Sequence, residues 1–151
     1  MSVTPRLPQA EFYQLAPAAR DALIALGKAV DESGLEKELT ELIKLRVSQM
    51  NGCAFCVQMH IGIGRKLGVK GSKLDLVAAW ADADIYSARE RAALGWAEAL
   101  TDLAHGEAMD KAFAALQQEF SQKEIAHLSA AIANINAWNR ISVGFRFAPI
   151  L

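Results

Sequence analysis

Apolar residues recur every three or four positions along almost the whole chain, which is the spacing of a helix with one buried face. No segment alternates apolar and polar residues in the manner of a half-buried strand. The clearest apolar stripe lies near the C-terminus and consists of Ile125, Leu128, Ile132 and Ile135. The pattern therefore predicts an all-α fold.

Helix start and stop signals divide this pattern into six to seven helices, which follow an N-terminal arm over residues 1–16 with a short turn at 11–15. Pro17 suits a first helical turn, and Asn51-Gly52 is typical of a turn between helices. Ser-x-x-acid sequences predict capping boxes at three later starts, namely Ser72, Ser87 and Ser121. We expect helices at about 17–30, 36–50, 53–67, 73–82, 88–104, 107–119 and 122–145. With no linker, repeat or low-complexity tract, the chain is interpreted as one domain over 1–151.

Composition narrows the function classes. The 151 residues carry a net charge of −1 with acidic and basic residues interspersed, which argues against nucleic-acid binding. The 52% apolar content exceeds what a small domain buries easily, so we expect a homo-oligomer. The N-terminus lacks the apolar run of a signal peptide, and no apolar stretch reaches the roughly 20 residues of a membrane span. These features predict no membrane association and a cytoplasmic location.

The two cysteines of the chain fall at Cys53 and Cys56, and His60 follows one helical turn later. On a helix these three side chains share one face, so the sulfurs could join and the imidazole could approach them. Unpaired backbone N–H groups at a helix start favour a thiolate, the species that attacks peroxides and disulfides. Two alternatives remain open, namely small buried apolar cysteines and a zinc site with Glu41 as a fourth ligand.

Glu41 is the carboxylate that we expect to complete this constellation. It precedes Cys53 by twelve residues, and the intervening turn at Asn51-Gly52 reverses the chain direction. Two helices packed as a hairpin would bring Glu41 to the histidine and cysteine face. The alternative interpretation is a solvated acid paired with Lys37 or Lys44 at helical spacing.

The spacing Glu-x11-Cys-x2-Cys-x3-His, which runs from Glu41 to His60, resembles that of the AhpD-like alkylhydroperoxidases. These enzymes belong to the wider carboxymuconolactone decarboxylase family. The flanking segments 39–47 and 135–141 resemble the same proteins, and the likeness extends over about 35–147. The resemblance implies an AhpD-like helical domain in which the Cys-x-x-Cys motif lies on one helix.

The resemblance also implies a mechanism. In AhpD-like enzymes the second cysteine, here Cys56, attacks the peroxide, and the first, here Cys53, converts the resulting sulfenic acid into a disulfide. His60 and Glu41 would form a proton relay. No metal or flavin cofactor is implied. The substrate would be hydrogen peroxide or an alkyl hydroperoxide, the reductant a thiol or dihydrolipoyl-type donor, and the assembly a trimer or hexamer.

One departure from the family pattern concerns the position between the cysteines. The founding members carry a second histidine there, whereas this chain has Phe55. This keeps a second hypothesis open, namely a redox-sensing or disulfide-exchange protein without significant peroxidase turnover.

The two cysteines also differ in what favours each as the attacking thiol. Thioredoxin-type reasoning would make Cys53, at the helix start, the more acidic thiol. The position of Cys56 one turn from His60 instead favours Cys56 as the attacking cysteine.

Overall fold

The computed structural model describes residues 4–151 and confirms the all-helical prediction, with no strand among those residues. The described residues form eight α-helices and one 3-10 turn, which is more helices than the six to seven expected. The first three residues of the predicted arm lie outside the described part. In order, the elements are α1 (Gln9–Leu15), α2 (Pro17–Asp31), α3 (Lys37–Met50), α4 (Ala54–Lys66), α5 (Gly71–Leu76), the 3-10 turn (Val77–Ala79), α6 (Ala88–Thr101), α7 (Glu107–Glu119) and α8 (Gln122–Phe145).

Two of the three predicted capping boxes are confirmed. The Ser121 hydroxyl accepts from the Glu124 backbone N–H at 3.2 Å, and the Glu124 carboxylate accepts from the Ser121 N–H at 2.8 Å. Ser87 and Glu90 make the same reciprocal pair at the start of α6. Each box satisfies two backbone donors that a helix start leaves without partners.

The third predicted box, at Ser72, is wrong. The helix α5 begins two residues earlier than predicted, at Gly71, and its N-cap residue is Lys70, so Ser72 already lies inside the first turn. A capping side chain must lie on the residue before the first turn, whereas Ser72 is already helical and makes no cap hydrogen bond. Leu74 of the same helix is buried against Gly64 of α4, where an added Cβ would lie only 3.0 Å from a Leu74 methyl carbon. The predicted helix over 73–82 is therefore shorter, and a 3-10 turn follows it.

Helix α3 lies at the centre of the bundle and packs against α4, α6 and α8. Ile43, Leu45 and Val47 are completely buried, although Leu45 points to a different side of the helix from the other two. A helix buried on several sides also buries the polar residues that it carries. Glu41 is one of these residues, and this burial sets up the candidate site.

The N-terminal segment packs against the far end of α8. The Arg6 backbone N–H donates to the Phe145 carbonyl at 2.8 Å, and the Phe12 ring on α1 packs against the rings of both Phe145 and Phe147. Helix α2 also packs along α8. The segment before α3 therefore forms part of the wall over the centre of the bundle. Among the described residues, no helix is long and apolar enough to cross a bilayer.

The capping box of α8 predicts a measurable loss of stability in Ser121→Ala. Removing the hydroxyl leaves the Glu124 N–H without its side-chain acceptor, which should lower the free energy of unfolding by about 1 kcal/mol. The matched control is Ser72→Ala, because the Ser72 side chain is exposed inside α5 and caps nothing. Urea unfolding followed by circular dichroism measures both variants. Equal stability of Ser121→Ala and the parent protein would contradict the prediction.

Candidate active site

The connection between α3 and α4 is a tight turn held against α8. Gly52 adopts a positive φ of 65°, a conformation that favours glycine. The Asn51 side-chain amide donates to the side-chain oxygens of Asn136 and Asn139 on α8, each at 3.0 Å. The turn reverses the chain as predicted, and α3 and α4 pack as a hairpin.

Cys53 and Cys56 are joined by a disulfide at the start of α4, with their Cα atoms 5.3 Å apart. Cys53 is the N-cap residue, and its sulfur lies 3.3 Å from the Cys56 backbone N–H as an acceptor. Both residues are almost inaccessible, at 2% and 1% exposure. Among the described residues no group of three or more potential ligands could hold a metal ion, so the zinc alternative has no ligand set there.

The buried carboxylate of Glu41 joins two cationic or ionisable partners. One oxygen lies 2.7 Å from His60 Nδ1, and the other accepts from Lys44 Nζ at 2.9 Å. The side chains of Glu41 and His60 are only 8% and 6% exposed. Glu41 therefore does pair with Lys44 at helical spacing, but its carboxylate is buried, Lys44 is half-buried, and the same carboxylate also contacts the histidine.

The environment of Glu41 keeps it ionised. Burial is the largest single influence and on its own would raise the pKa of the carboxyl group. The hydrogen bond and charge of His60, together with the Lys44 ammonium, outweigh burial and bring the pKa of Glu41 below its ordinary value of 4.5. The structure thus places a carboxylate, an imidazole and an ammonium group in one nearly dry row.

A cavity of about 250 Å³ opens beside this row. Cys56 and His60 both contribute to its wall, whereas Cys53 does not. The remaining wall is mainly apolar and is formed by α1, α2, α4, α8 and the segment after α8, with Tyr13, Leu23, Met59, Ile135, Trp138 and Phe147. The sequence did not indicate that these residues line one cavity, because their side chains meet only after distant helices pack.

Two buried polar atoms beside the cavity lack hydrogen-bond partners among the described residues. They are His60 Nε2 and Asn134 Oδ1, and both residues line the cavity wall. With Nδ1 donating to the Glu41 carboxylate, Nε2 of a neutral His60 is a proton acceptor, and it becomes a donor once protonated. This arrangement can move a proton to or from a molecule beside Cys56. Asn134 was missed as a site residue, although a polar residue on an otherwise apolar helix face could have indicated it.

The sequence matches the carboxymuconolactone decarboxylase family over residues 17–99, more than half of the chain. The uncharacterized protein YdfG of Bacillus subtilis is 35% identical over 132 residues, which cover 87% of this chain and 90% of the relative.

Solved structures show the same fold. A protein of unknown function from Agrobacterium tumefaciens, described as a candidate antioxidant defence protein AhpD, is 41% identical with a TM-score of 0.91, over 98% of this chain and 99% of the other. An uncharacterized peroxidase-related protein from Ralstonia eutropha, described as an alkylhydroperoxidase AhpD core, is 27% identical with a TM-score of 0.79, over 93% of this chain and 75% of the other. A debrominase at 24% identity and a TM-score of 0.81, over 91% and 74%, shares the fold.

The lowered pKa of Glu41 predicts a pH-dependent contribution to stability. A folded-state pKa below the unfolded value gives stabilisation that is complete above about pH 4.5 and is lost as the pH falls through the folded-state pKa. Glu41→Gln should therefore be less stable than the parent by about 1 to 3 kcal/mol at pH 7, and this difference should shrink in acid.

Denaturant unfolding of the disulfide-bonded protein at several pH values measures the effect. Glu38→Gln is the matched control, because Glu38 lies on the same helix but is exposed. A stability difference between Glu41→Gln and the parent that stayed constant from neutral pH to pH 3 would contradict the assigned role of the charge.

Proposed function

The chain belongs to the carboxymuconolactone decarboxylase family, and from this membership we propose that it is an AhpD-like thiol peroxidase that reduces hydrogen peroxide or alkyl hydroperoxides. One observation carries the proposal. Cys56 and His60 line the same cavity, and the other ring nitrogen of His60 is held by the buried Glu41 carboxylate. An oxidisable sulfur, a proton carrier and a space of substrate size therefore lie together at one cavity.

The proposed cycle begins with both cysteines reduced. His60 Nε2 takes the Cys56 thiol proton, directly or through one water molecule, and Glu41 stabilises the resulting imidazolium. The Cys56 thiolate attacks the terminal peroxide oxygen, the O–O bond breaks, and the leaving alkoxide receives the proton from His60. Cys56 is now a sulfenic acid. The Cys53 thiol attacks its sulfur, water leaves, and the disulfide forms.

Cys56 is assigned as the attacking cysteine because of its surroundings. Its side chain shares the cavity with His60, whereas Cys53 lies outside that cavity. Cys53 accepts the Cys56 N–H at the helix start, and this contact keeps its sulfur within bonding reach of Cys56. A nearby resolving thiol is what a dithiol cycle requires. Two thiols from an external reductant then restore the reduced state, and a thiol or dihydrolipoyl-type donor fits this step.

A second candidate function is disulfide exchange or redox sensing without significant peroxide turnover. The observation that favours it is Phe55, which lines the cavity and offers no proton where the family resemblance implies a second histidine. Both functions use the same disulfide and differ in whether peroxide is consumed catalytically. The debrominase activity belongs to a neighbour that shares only the fold and is not proposed here.

We also propose that the chain assembles as a homotrimer or homohexamer. Large apolar side chains are exposed on and beside the outer surface of α4, among them Met59, Ile150 and Leu151. Burial of such a surface in a subunit contact would remove apolar area from water. The single-domain organisation over 1–151 and the cytoplasmic location stay predictions from the sequence.

Single cysteine variants test the cycle. Cys56→Ser should lose peroxide consumption, because no thiolate remains beside His60. Cys53→Ser should consume about one peroxide per chain and then stop, because no thiol resolves the sulfenic acid. Peroxide loss by pre-reduced protein without added thiol, with a sulfenic-acid trapping reagent and mass spectrometry, measures both outcomes. Turnover at the parent rate in both variants would refute the proposal.

The proton relay is tested by His60→Gln. Removing the proton carrier should lower kcat/KM for peroxide by about 10² to 10⁴ and abolish the dependence on the histidine ionisation in the pH profile. His105→Gln is the matched control, because His105 is exposed and lies outside the cavity. A His60→Gln enzyme with the pH profile and rate of the parent would show that the relay is not used.

A further inference from the structure

The disulfide lies between two separate openings. Cys56 contributes to the 250 Å³ cavity that holds His60. Cys53 contributes to a different groove of about 560 Å³, formed by the start of α4, the end of α8 and the segment that follows it. Neither opening has the other cysteine in its wall. Each cysteine therefore borders a different opening.

Two aromatic rings form the partition between these openings. Phe55 and Phe147 both line the cavity and the groove, and their rings meet edge to face with centroids 5.7 Å apart at an interplanar angle of 84°. Phe147 is buried at 5% exposure. Because aromatic pairs of this geometry attract one another, the partition is a packed wall.

The two openings differ in charge. Arg6 and Arg146 line the groove, and no acidic residue does. Arg6 donates to the Gly144 carbonyl, whereas the exposed Arg146 side chain makes no hydrogen bond or ion pair with residues 4–151. In the cavity, by contrast, the positive charge of Lys44 is paired with Glu41. The groove therefore presents uncompensated positive charge near Cys53, which attracts anions.

We propose that this groove admits the reductant, and that the reductant is a small, slender thiol carrying a negative charge. The inference rests on the proposed function only in requiring that the disulfide be reduced. Slenderness follows from burial, because both cysteines are at most 2% exposed and a thiol on a broad protein surface would not reach them. The negative charge complements Arg6 and Arg146.

The reductant attacks Cys53 in this scheme. Its thiolate forms a bond to the Cys53 sulfur, the Cys53–Cys56 bond breaks, and the electron pair leaves on Cys56 as a thiolate. A second thiol of the reductant then attacks the reductant sulfur of the mixed disulfide. The reductant leaves as its own disulfide, and Cys53 takes up a proton as a thiol. Two reductant thiols are oxidised for each protein disulfide reduced.

The direction of attack matters because the leaving thiolate is released beside His60. Exchange is faster when the leaving sulfur is stabilised as a thiolate, and a neighbouring imidazole provides that stabilisation when it is protonated. Attack on Cys56 would instead require the reductant to enter the peroxide cavity. Entry at Cys53 keeps substrate and reductant on opposite sides of the phenylalanine wall.

The test starts from oxidised protein without peroxide and compares dihydrolipoate with dihydrolipoamide. The two compounds share the same slender dithiol chain, but only dihydrolipoate is anionic. We expect reduction by dihydrolipoate to be about 3- to 10-fold faster at low salt and the advantage to vanish near 0.5 M salt. The advantage should decrease in Arg146→Gln and in Arg6→Gln. Arg65→Gln is the control, because it removes the same charge from an exposed position of α4 outside the groove.

A second measurement identifies the attacked sulfur. Partial reduction by the monothiol mercaptoethanesulfonate, acid quenching and alkylation should give the thiol adduct on Cys53 and the alkyl group on Cys56, as read by tandem mass spectrometry. An adduct on Cys56, or equal rates for the two dithiols in the parent protein, overturns this proposal. Neither result depends on peroxide, so failure of the peroxidase function would be seen separately as an absence of peroxide turnover.

Discussion

The hydrogen bond between Glu41 and His60 is the contact on which the candidate site depends, because it joins α3 to α4 in the interior. Burying a carboxylate costs several kcal/mol unless partners replace its hydration. Here His60 and Lys44 occupy both carboxylate oxygens at 2.7 and 2.9 Å. The same bond fixes the histidine ring, which lines the cavity together with Cys56 and leaves its second nitrogen without a partner among the described residues. Stability and chemical geometry therefore rest on one pair of side chains.

The position of the disulfide depends on a polar network between the hairpin turn and α8. The Asn139 side chain is completely buried and donates to the Ser48 hydroxyl while accepting from Asn51. The Cys53 backbone N–H donates in turn to the Ser48 carbonyl at 3.0 Å. A buried network with satisfied members is rigid and specifies one arrangement. Ser48 and Cys53 are consequently held to α8, and this keeps the two sulfurs close to each other.

Most of the helical scaffold could be predicted from the sequence, because periodicity and capping are local properties, as at Ser87 and Ser121. Ser72 shows the limit of local signals, since its sequence matches a capping box but the helix begins at Gly71 and leaves Ser72 inside the first turn. The spacing of Cys53, Cys56 and His60 indicated the chemistry of the candidate site, and the turn indicated where Glu41 would lie. The cavity wall was beyond such reasoning, because α1, α2 and α8 contribute side chains that are distant in the sequence and meet only through tertiary packing.

Phe55 connects the departure from the family pattern with the separation of the two openings. A histidine between the cysteines would add a proton carrier, but its polar ring would need hydrogen-bond partners in a mostly apolar wall. Phenylalanine needs none, and its edge-to-face contact with Phe147 divides the space on the two sides of the disulfide. Phe55 thus removes one ionisable group from the site and at the same time separates the cavity from the groove. In this chain His60 is left as the single imidazole at the cavity, so the proposed chemistry requires Glu41 to hold that ring in one orientation.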